Sequence, residues 1–238
     1  KDALKKGTQD MAFIPVLCGS ATQNIGIDLF QDFVVDCMPS PMVRAGFSAK
    51  SDDGSEDLIV DPDPDAPFSG FVFKTIADPY AGRLSIFRVV SGSLGKDGNI
   101  YNPNKRAKER FSQLLTITGK EQKPIQGAVP GSIVAVAKLK ETTTGDTICD
   151  ESRKLAFQCA DPLPTLISFA VSAKSKGDED KIFSSLTKLL EEDPGLKLDR
   201  NSETMEILLS GRGQVHIEAT LEKLKRKFNV EVLLNTPK

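Results

Sequence analysis

Pro162-Leu163-Pro164 divides this chain into two different hydrophobic patterns, and that division constrains the fold more than any other feature. Before it, from Phe68 to about Asp150, short runs rich in β-branched and aromatic residues recur: Gly70-Phe71-Val72-Phe73, Leu84-Ser85-Ile86-Phe87-Arg88-Val89-Val90, Leu114-Leu115-Thr116-Ile117-Thr118 and Ile133-Val134-Ala135-Val136-Ala137. Asp78-Pro79, Ser91-Gly92, Lys96-Asp97-Gly98-Asn99 and Pro130-Gly131 separate them as turns. Closely spaced short strands with such turns predict a small all-β barrel. After the prolines, strand and helix periods alternate. Ile167, Phe169, Val171 and Ala173 repeat every second residue, whereas Ile182, Phe183, Leu186, Leu189 and Leu190 share one side of a helix. Asp178-Glu179-Asp180 places negative charge in that helix's first turn, and Asp193-Pro194-Gly195 ends it. Strands around Leu196–Leu198 and Met205–Leu209 follow, joined through Asn201-Ser202. Ile217, Leu221, Leu224 and Phe228 then mark a second helix, and Val230, Val232 and Leu234 a last strand. The order β-α-β-β-α-β predicts a ferredoxin-like α+β domain. That superfold hosts many functions and fixes none of them.

Upstream, the segment to about Pro41 reads as strand, loop and helix. The apolar run Phe13-Ile14-Pro15-Val16-Leu17 ends in Cys18-Gly19-Ser20-Ala21, and Ile27, Phe30, Phe33, Val34 and Cys37 repeat at helical spacing before Pro39-Ser40-Pro41. Residues 51–66 carry many acids, several prolines and no base, which predicts a linker or extended loop. Asp61, Asp63 and Asp65 alternate like the start of a calcium loop. However, Ala66 stands where that loop needs glycine and Val72 where it needs a bidentate glutamate, so calcium is rejected. The expected organisation is an α/β segment at 1–43, an acidic linker at 44–67, the barrel at 68–160 and the ferredoxin-like domain at 161–238.

A chain of 238 residues, 39% hydrophobic and 27% charged, has the composition of a globular protein large enough for two cores. No apolar run reaches membrane-spanning length, and the first residues lack a secretory pattern and an initiator methionine, which fits a piece of a longer chain. Cys18, Cys37, Cys149 and Cys159 show neither a CxxC pair nor a histidine at metal-ligand spacing. They are read as free thiols of a reducing cytosol, although four cysteines also suffice for two disulfides. The net charge of −2 does not announce a nucleic-acid binder, yet bases cluster at 105–110 and 223–227. Such patches either meet phosphate or are simply solvated faces, and charge alone does not choose between the two.

Candidate catalytic residues are scarce. His216 is the only histidine, and Glu218 two positions on does not share its helix face, so a structural role fits it best. No phosphate loop is present; Gly92-Ser93-Leu94-Gly95-Lys96 has the wrong spacing and reads as a hairpin turn. Asn104-Lys105-Arg106-Ala107 imitates a guanine-reading NKxD, but its last position lacks the carboxylate. Both tyrosines, Tyr80 and Tyr101, precede the ferredoxin-like domain, and there is no tryptophan, which argues against base stacking on its sheet. Neither a catalytic centre nor a metal site is expected.

Three segments together resemble elongation factor G, a translational GTPase. Phe73-Lys74-Thr75-Ile76-Ala77-Asp78-Pro79-Tyr80-Ala81-Gly82-Arg83-Leu84, continuing to Ser91-Gly92, is similar to the start of that family's second domain. Leu139-Lys140-Glu141-Thr142-Thr143-Thr144-Gly145-Asp146-Thr147 is similar to its end. The stretch from Leu190-Glu191-Glu192-Asp193-Pro194 to Gly211-Arg212-Gly213-Gln214-Val215-His216-Ile217-Glu218 resembles the third domain. The resemblance implies an internal fragment: the tail of a GTPase domain, a translation-factor barrel and a ferredoxin-like domain that shifts with nucleotide state. It makes Ser20 and Ala21 remnants of a guanine pocket, with backbone N–H groups facing the base. The barrel would dock on ribosomal RNA through phosphate contacts from Arg83, Lys105, Arg106 and Lys108. Gly211, Arg212 and Gly213 would form a coupling turn, or merely shape the entry to the second helix. GTP and Mg²⁺ would serve the full-length cytoplasmic protein in tRNA and mRNA translocation. The fragment itself would be monomeric, without cofactor and inactive alone. Val90, Arg212 and Gln214-Val215 depart from the usual pattern and leave open a ribosomal protection or recycling paralogue. A stand-alone ribosome-binding module without enzymology is the rival from another class.

Overall fold

Val72, Phe87, Val89, Val136 and Ile148 alternate along their strands and meet in one interior, which is why this stretch folds as a curled antiparallel sheet. The computed structural model describes residues 2–43, 45–78, 82–119, 121–173 and 179–237. Pro79-Tyr80-Ala81 and Asp178 of the expected motifs lie outside them. The chain forms two units, Lys1–Gly46 and Phe47–Lys238.

The larger unit begins with β1 (Phe47–Ser51) and β2 (Asp57–Val60). The barrel follows as β3 (Ser69–Asp78), β4 (Gly82–Ser91), β5 (Leu94–Gly95), β6 (Gly98–Asn102), β7 (Ala107–Phe111), β8 (Leu114–Thr118), β9 (Glu121–Ile125), β10 (Gly127–Ala128), β11 (Ile133–Ala137), β12 (Thr147–Cys149) and β13 (Leu155–Phe157). Its main sheet runs β7-β6-β12-β3-β4-β11-β8-β9. Phe68 meets Phe87 edge to face, with ring centroids 6.2 Å apart. A bulge between Val72 and Lys74 drops Phe73 out of the β3–β4 ladder and leaves it partly exposed.

The expected linker at 44–67 is corrected here. Its first half is a hairpin, β1 on β2, that adds β13 to form a three-stranded sheet in the order β13-β1-β2. The acidic bias conceals a period of two. Ala49 and Val60 are buried, and Phe47 and Leu58 pack with them against Val90, Leu155 and Phe157. Asp52, Asp53 and Glu56 sit at the turn, where Asp53 accepts hydrogen bonds from the Ser51 hydroxyl (2.5 Å) and from the Ser55 hydroxyl and N–H. Those bonds from Ser51 and then Ser55 lower the Asp53 carboxyl to a pKa of about 2. The remainder, residues 61–67, forms no strand.

The second core is separate. β14 (Ile167–Ala173), α3 (Glu179–Glu192), β15 (Lys197–Arg200), β16 (Ile207–Gly211), α4 (Gln214–Phe228) and β17 (Val232–Asn235) give the sheet order β15-β16-β14-β17. Ile182, Leu186 and Leu189 of α3 and Ile217 and Leu224 of α4 pack with Val171 and Leu209 of the sheet. β16 starts later than expected. Met205 is left-handed at φ 59° and cannot continue a ladder, and the Asn201 side chain caps the loop by accepting the N–H of Glu203 and of Thr204.

In the smaller unit, α2 (Ile27–Cys37) matches the expected helix, and α1 (Asp2–Gln9) is a helix that the hydrophobic pattern did not announce. The strand expected at Phe13–Leu17 is absent. A strand exists only through a ladder partner, and the bridge described in this unit joins Ser20 to Ile25 instead. Ile14 and Val16 are each 88% exposed.

Candidate functional site

The C-terminal turn of α3 ends in Glu191 and Glu192, two carboxylates placed where the helix dipole is already negative. Inward packing of Ile182, Leu186 and Leu189 fixes the helix rotation, and the two acids then meet the β3–β4 hairpin of the barrel. Each finds a cation. Glu191 forms a two-pronged ion pair with Arg83: Nε donates to Oε2 at 2.9 Å and Nη2 approaches Oε1. Glu192 accepts the Ala77 N–H at 2.7 Å and the Lys227 ammonium at 2.5 Å. The Glu192 and Lys227 side chains are only 13% and 23% exposed. The barrel and the ferredoxin-like domain are thus joined by polar bonds rather than by continuation of either core.

Arg83 therefore departs from the expectation of a phosphate donor. Besides Glu191, its Nη1 donates to the carbonyl of Lys140 (2.6 Å), with Leu139 O at 3.5 Å, so the guanidinium is committed within the chain.

Lys105 and Arg106 lie at the turn from β6 to β7 and Lys108 lies in β7, and all three are exposed. Lys108 pairs with Glu151 at the surface, whereas among the described residues no ion pair engages Lys105 or Arg106. The turn is built from beneath by Asn102, which is 1% exposed. Its amide nitrogen donates to Thr142 Oγ1 (3.1 Å) and Asp146 Oδ2 (3.0 Å), while its oxygen accepts the Lys105 N–H (3.0 Å). Arg106 is left-handed at φ 52°, and Asn104 holds the Thr147 N–H at 2.8 Å. The basic tip is consequently a fixed, solvent-facing cation pair on a buried polar base. Exposed cations can contact phosphate without reading bases.

In the expected coupling turn, packing holds Gly211 to glycine, whereas nothing lies within 4 Å of a Cβ at Gly213. A Cβ at Gly211 would stand 2.8 Å from Ile217 Cδ1, so a side chain there invades the core. The Arg212 N–H donates to His216 Nδ1 (3.2 Å), which leaves the proton on Nε2, facing Asp193 Oδ2 at 2.9 Å. His216 thus ties the start of α4 to the end of α3. Burial alone would raise the Asp193 carboxyl. The His216 and Gly195 hydrogen bonds, with the charge of Arg212, outweigh it and hold the carboxyl below its usual range.

Ser20 and Ala21 occupy a tight loop in which Ser20 and Ile25 exchange backbone hydrogen bonds, 3.0 Å each. Among the described residues no hydrogen bond occupies the Ala21 N–H. The four cysteines are free thiols, and among the described residues no cluster of three or more metal-ligating side chains occurs. Sequence reading missed Glu191, Glu192, Lys227, Glu109 and Asn102 as site residues. The signal for the first two was present: adjacent glutamates at a helix C-terminus oppose its dipole and call for cations from elsewhere.

Comparison with known families places both domains. Residues 67–151 match the family described as Elongation factor G domain 2, and residues 162–236 the family described as Elongation Factor G, domain III. A crystal structure of a protein from Thermus thermophilus is similar over 100% of this chain, with a TM-score of 0.77 and 27% identity. The chain spans 34% of that protein's length. Among the described residues no helix is long and apolar enough to cross a membrane.

Proposed function

The chain belongs to the elongation factor G family of translation factors, and on that premise we propose that it is the ribosome-docking and relay portion of a GTPase that drives tRNA and mRNA translocation. The exposed Lys105–Arg106 tip, fixed by Asn102, carries the proposal. It docks on ribosomal RNA phosphates, with Lys108 contributing after exchange of Glu151 for phosphate. Arg83 is left out of the docking set because Glu191 and Lys140 engage it. The ferredoxin-like domain, bonded to the barrel through α3, relays movement between that contact and the GTPase domain. GTP and Mg²⁺ belong to residues beyond those of this chain, since none of its segments forms a phosphate loop. Ser20 and Ala21 close the guanine pocket of that domain. The protein works as a monomer in the cytoplasm.

Ribosome binding measured across a salt series tests this reading. Lys105→Glu with Arg106→Glu should weaken binding and flatten the slope of log K against log salt by about one per lost phosphate contact. An unchanged slope removes the tip from the interface. The same full-length protein should hydrolyse GTP on ribosomes, while this chain alone should bind no GTP in calorimetry with Mg²⁺. A factor that hydrolyses GTP but only releases a bound drug or splits ribosomes would be a protection or recycling paralogue. Val90, Arg212 and Gln214-Val215 are the residues that favour that second reading.

A further inference from the structure

The loop from Leu139 to Thr147 is held from both sides by charged side chains of different elements. On one side Arg83, itself gripped by Glu191, donates to the carbonyls of Lys140 and Leu139. Its own carbonyl accepts the Lys138 N–H at 2.8 Å, and Lys138 is left-handed at φ 67°. On the other side the Glu109 carboxylate of β7 collects three successive N–H groups, those of Lys140 (2.5 Å), Glu141 (3.1 Å) and Thr142 (3.0 Å). Three converging N–H groups form an anion nest, and here the protein fills it with its own carboxylate. Thr142 then passes the chain of bonds on. Its hydroxyl donates to Glu109 and accepts from Asn102, whose oxygen holds the Lys105 N–H.

We propose that Glu191 is a positioning residue for the basic tip: through Arg83, the 139–142 turn, Glu109 and Asn102, the seating of α3 sets the geometry of Lys105 and Arg106. Every link is a hydrogen bond or ion pair, and two non-glycine residues on the route are left-handed, Lys138 beside the 139–142 turn and Arg106 at the tip. Such residues persist only while their surroundings hold them, so loss of a link lets the turn relax. Glu192 gives an internal contrast. It bonds Ala77 of the barrel and Lys227 of its own domain, and among the described residues it has no bond to the 139–142 turn. Movement of α3 away from the hairpin would therefore slacken the tip, and an ordered tip would favour the seated helix, because coupling between two sites is reciprocal. The assignment of the tip to phosphate rests on the proposed function; the route of bonds does not.

Amide hydrogen exchange on the intact chain, read residue by residue by NMR, separates the two. Glu191→Ala should speed exchange of the Lys140, Glu141, Thr142 and Lys105 amides by about fivefold or more, the lower end of ordinary coupling. Glu192→Ala should speed Ala77 alone. Arg83→Lys keeps a charge for Glu191 but cannot reach both carbonyls, so it should reproduce the Glu191→Ala pattern. Unchanged Thr142 and Lys105 amides in Glu191→Ala overturn the proposal. Equal acceleration in Glu191→Ala and Glu192→Ala overturns it too, because general loosening of the domains then explains the effect. Ribosome binding of Glu191→Ala supplies the second arm. Affinity should fall several-fold with an unchanged salt slope, since no phosphate-facing charge is removed. A wild-type protein whose binding ignores salt would sink the docking assignment while leaving the exchange result to decide the route.

Discussion

Arg83 and Glu191, on β4 and at the end of α3, form the two-pronged ion pair that joins the barrel to the ferredoxin-like domain. Both side chains are partly screened from water, at 19% and 28% exposure, and the guanidinium is oriented by its bond to Lys140 O. Such a pair exceeds a mobile surface ion pair but remains modest. Urea titrations of Arg83→Ala, Glu191→Ala and the double variant should give a coupling energy of about 1 kcal/mol. Arg83→Ala should be the more damaging single change, because it also frees the carbonyl of Lys140. A coupling near zero would show that the pair is decorative.

Gly92 and Gly54 are both left-handed, at φ 68° and 72°, but only one is crowded. A Cβ at Gly92 would lie 2.5 Å from Ala66 O and Phe68 N, which are backbone atoms that cannot turn aside. At Gly54 nothing lies within 4 Å. Gly54→Ala should therefore cost about 1 kcal/mol from conformation alone. Gly92→Ala adds a backbone clash and should cost roughly 2–5 kcal/mol. Equal melting temperatures for the two variants would refute this reading of the β4 exit.

Most of the architecture was legible because period is a local property. Alternation in β3, β4 and β11, helical spacing in α3 and α4, and the prolines at 162 and 164 announced both domains. The hairpin at 47–60 was hidden because its acids crowd the turn and the start of β2 while only four apolar residues carry the period. The expected strand at 13–17 failed for the opposite reason, since an apolar run needs a partner that its own sequence does not contain. The interface was least legible. Arg83 looked like any basic residue near a turn, and what commits it is a glutamate 108 positions away. Asn102 was invisible as a support because its partners Thr142 and Asp146 come from another strand's approach.

Asp193 links acid stability to the α3–α4 junction. Its folded pKa is depressed, so the stabilisation it gives is complete above the unfolded value of about 3.9 and is lost as pH falls through the lower folded value. Stability should thus fall as pH drops below about 3.9 and recover as pH is raised back to that value. Asp193→Asn should flatten that fall, and the difference between the two proteins isolates this group from other carboxylates. Parallel stability curves for wild type and Asp193→Asn would mean that the His216 bond does not favour the carboxylate.

Cys149 should be chemically silent in the folded protein. It is buried in β12, whose neighbours β3 and β6 hydrogen-bond to it from both sides. Burial is the main cause that pushes its thiol up to a pKa of about 11, with the nearby charges of Asp52 and Asp150 adding to it. The Leu155 hydrogen bond and Lys154 oppose the rise without cancelling it. Cys18 and Cys159 are exposed, and Cys37 is half-buried. Only the thiolate reacts with an alkylating reagent, so both access and ionisation protect Cys149. With iodoacetamide near pH 8, mass mapping should find Cys18 and Cys159 modified more than about 100-fold faster than Cys149. Raising urea through the unfolding transition should abolish the difference, because it opens β12 and restores an ordinary thiol. Modification of Cys149 at the rate of Cys159 in native buffer would mean that the β3–β12 ladder opens far more often than its central place in the barrel sheet allows.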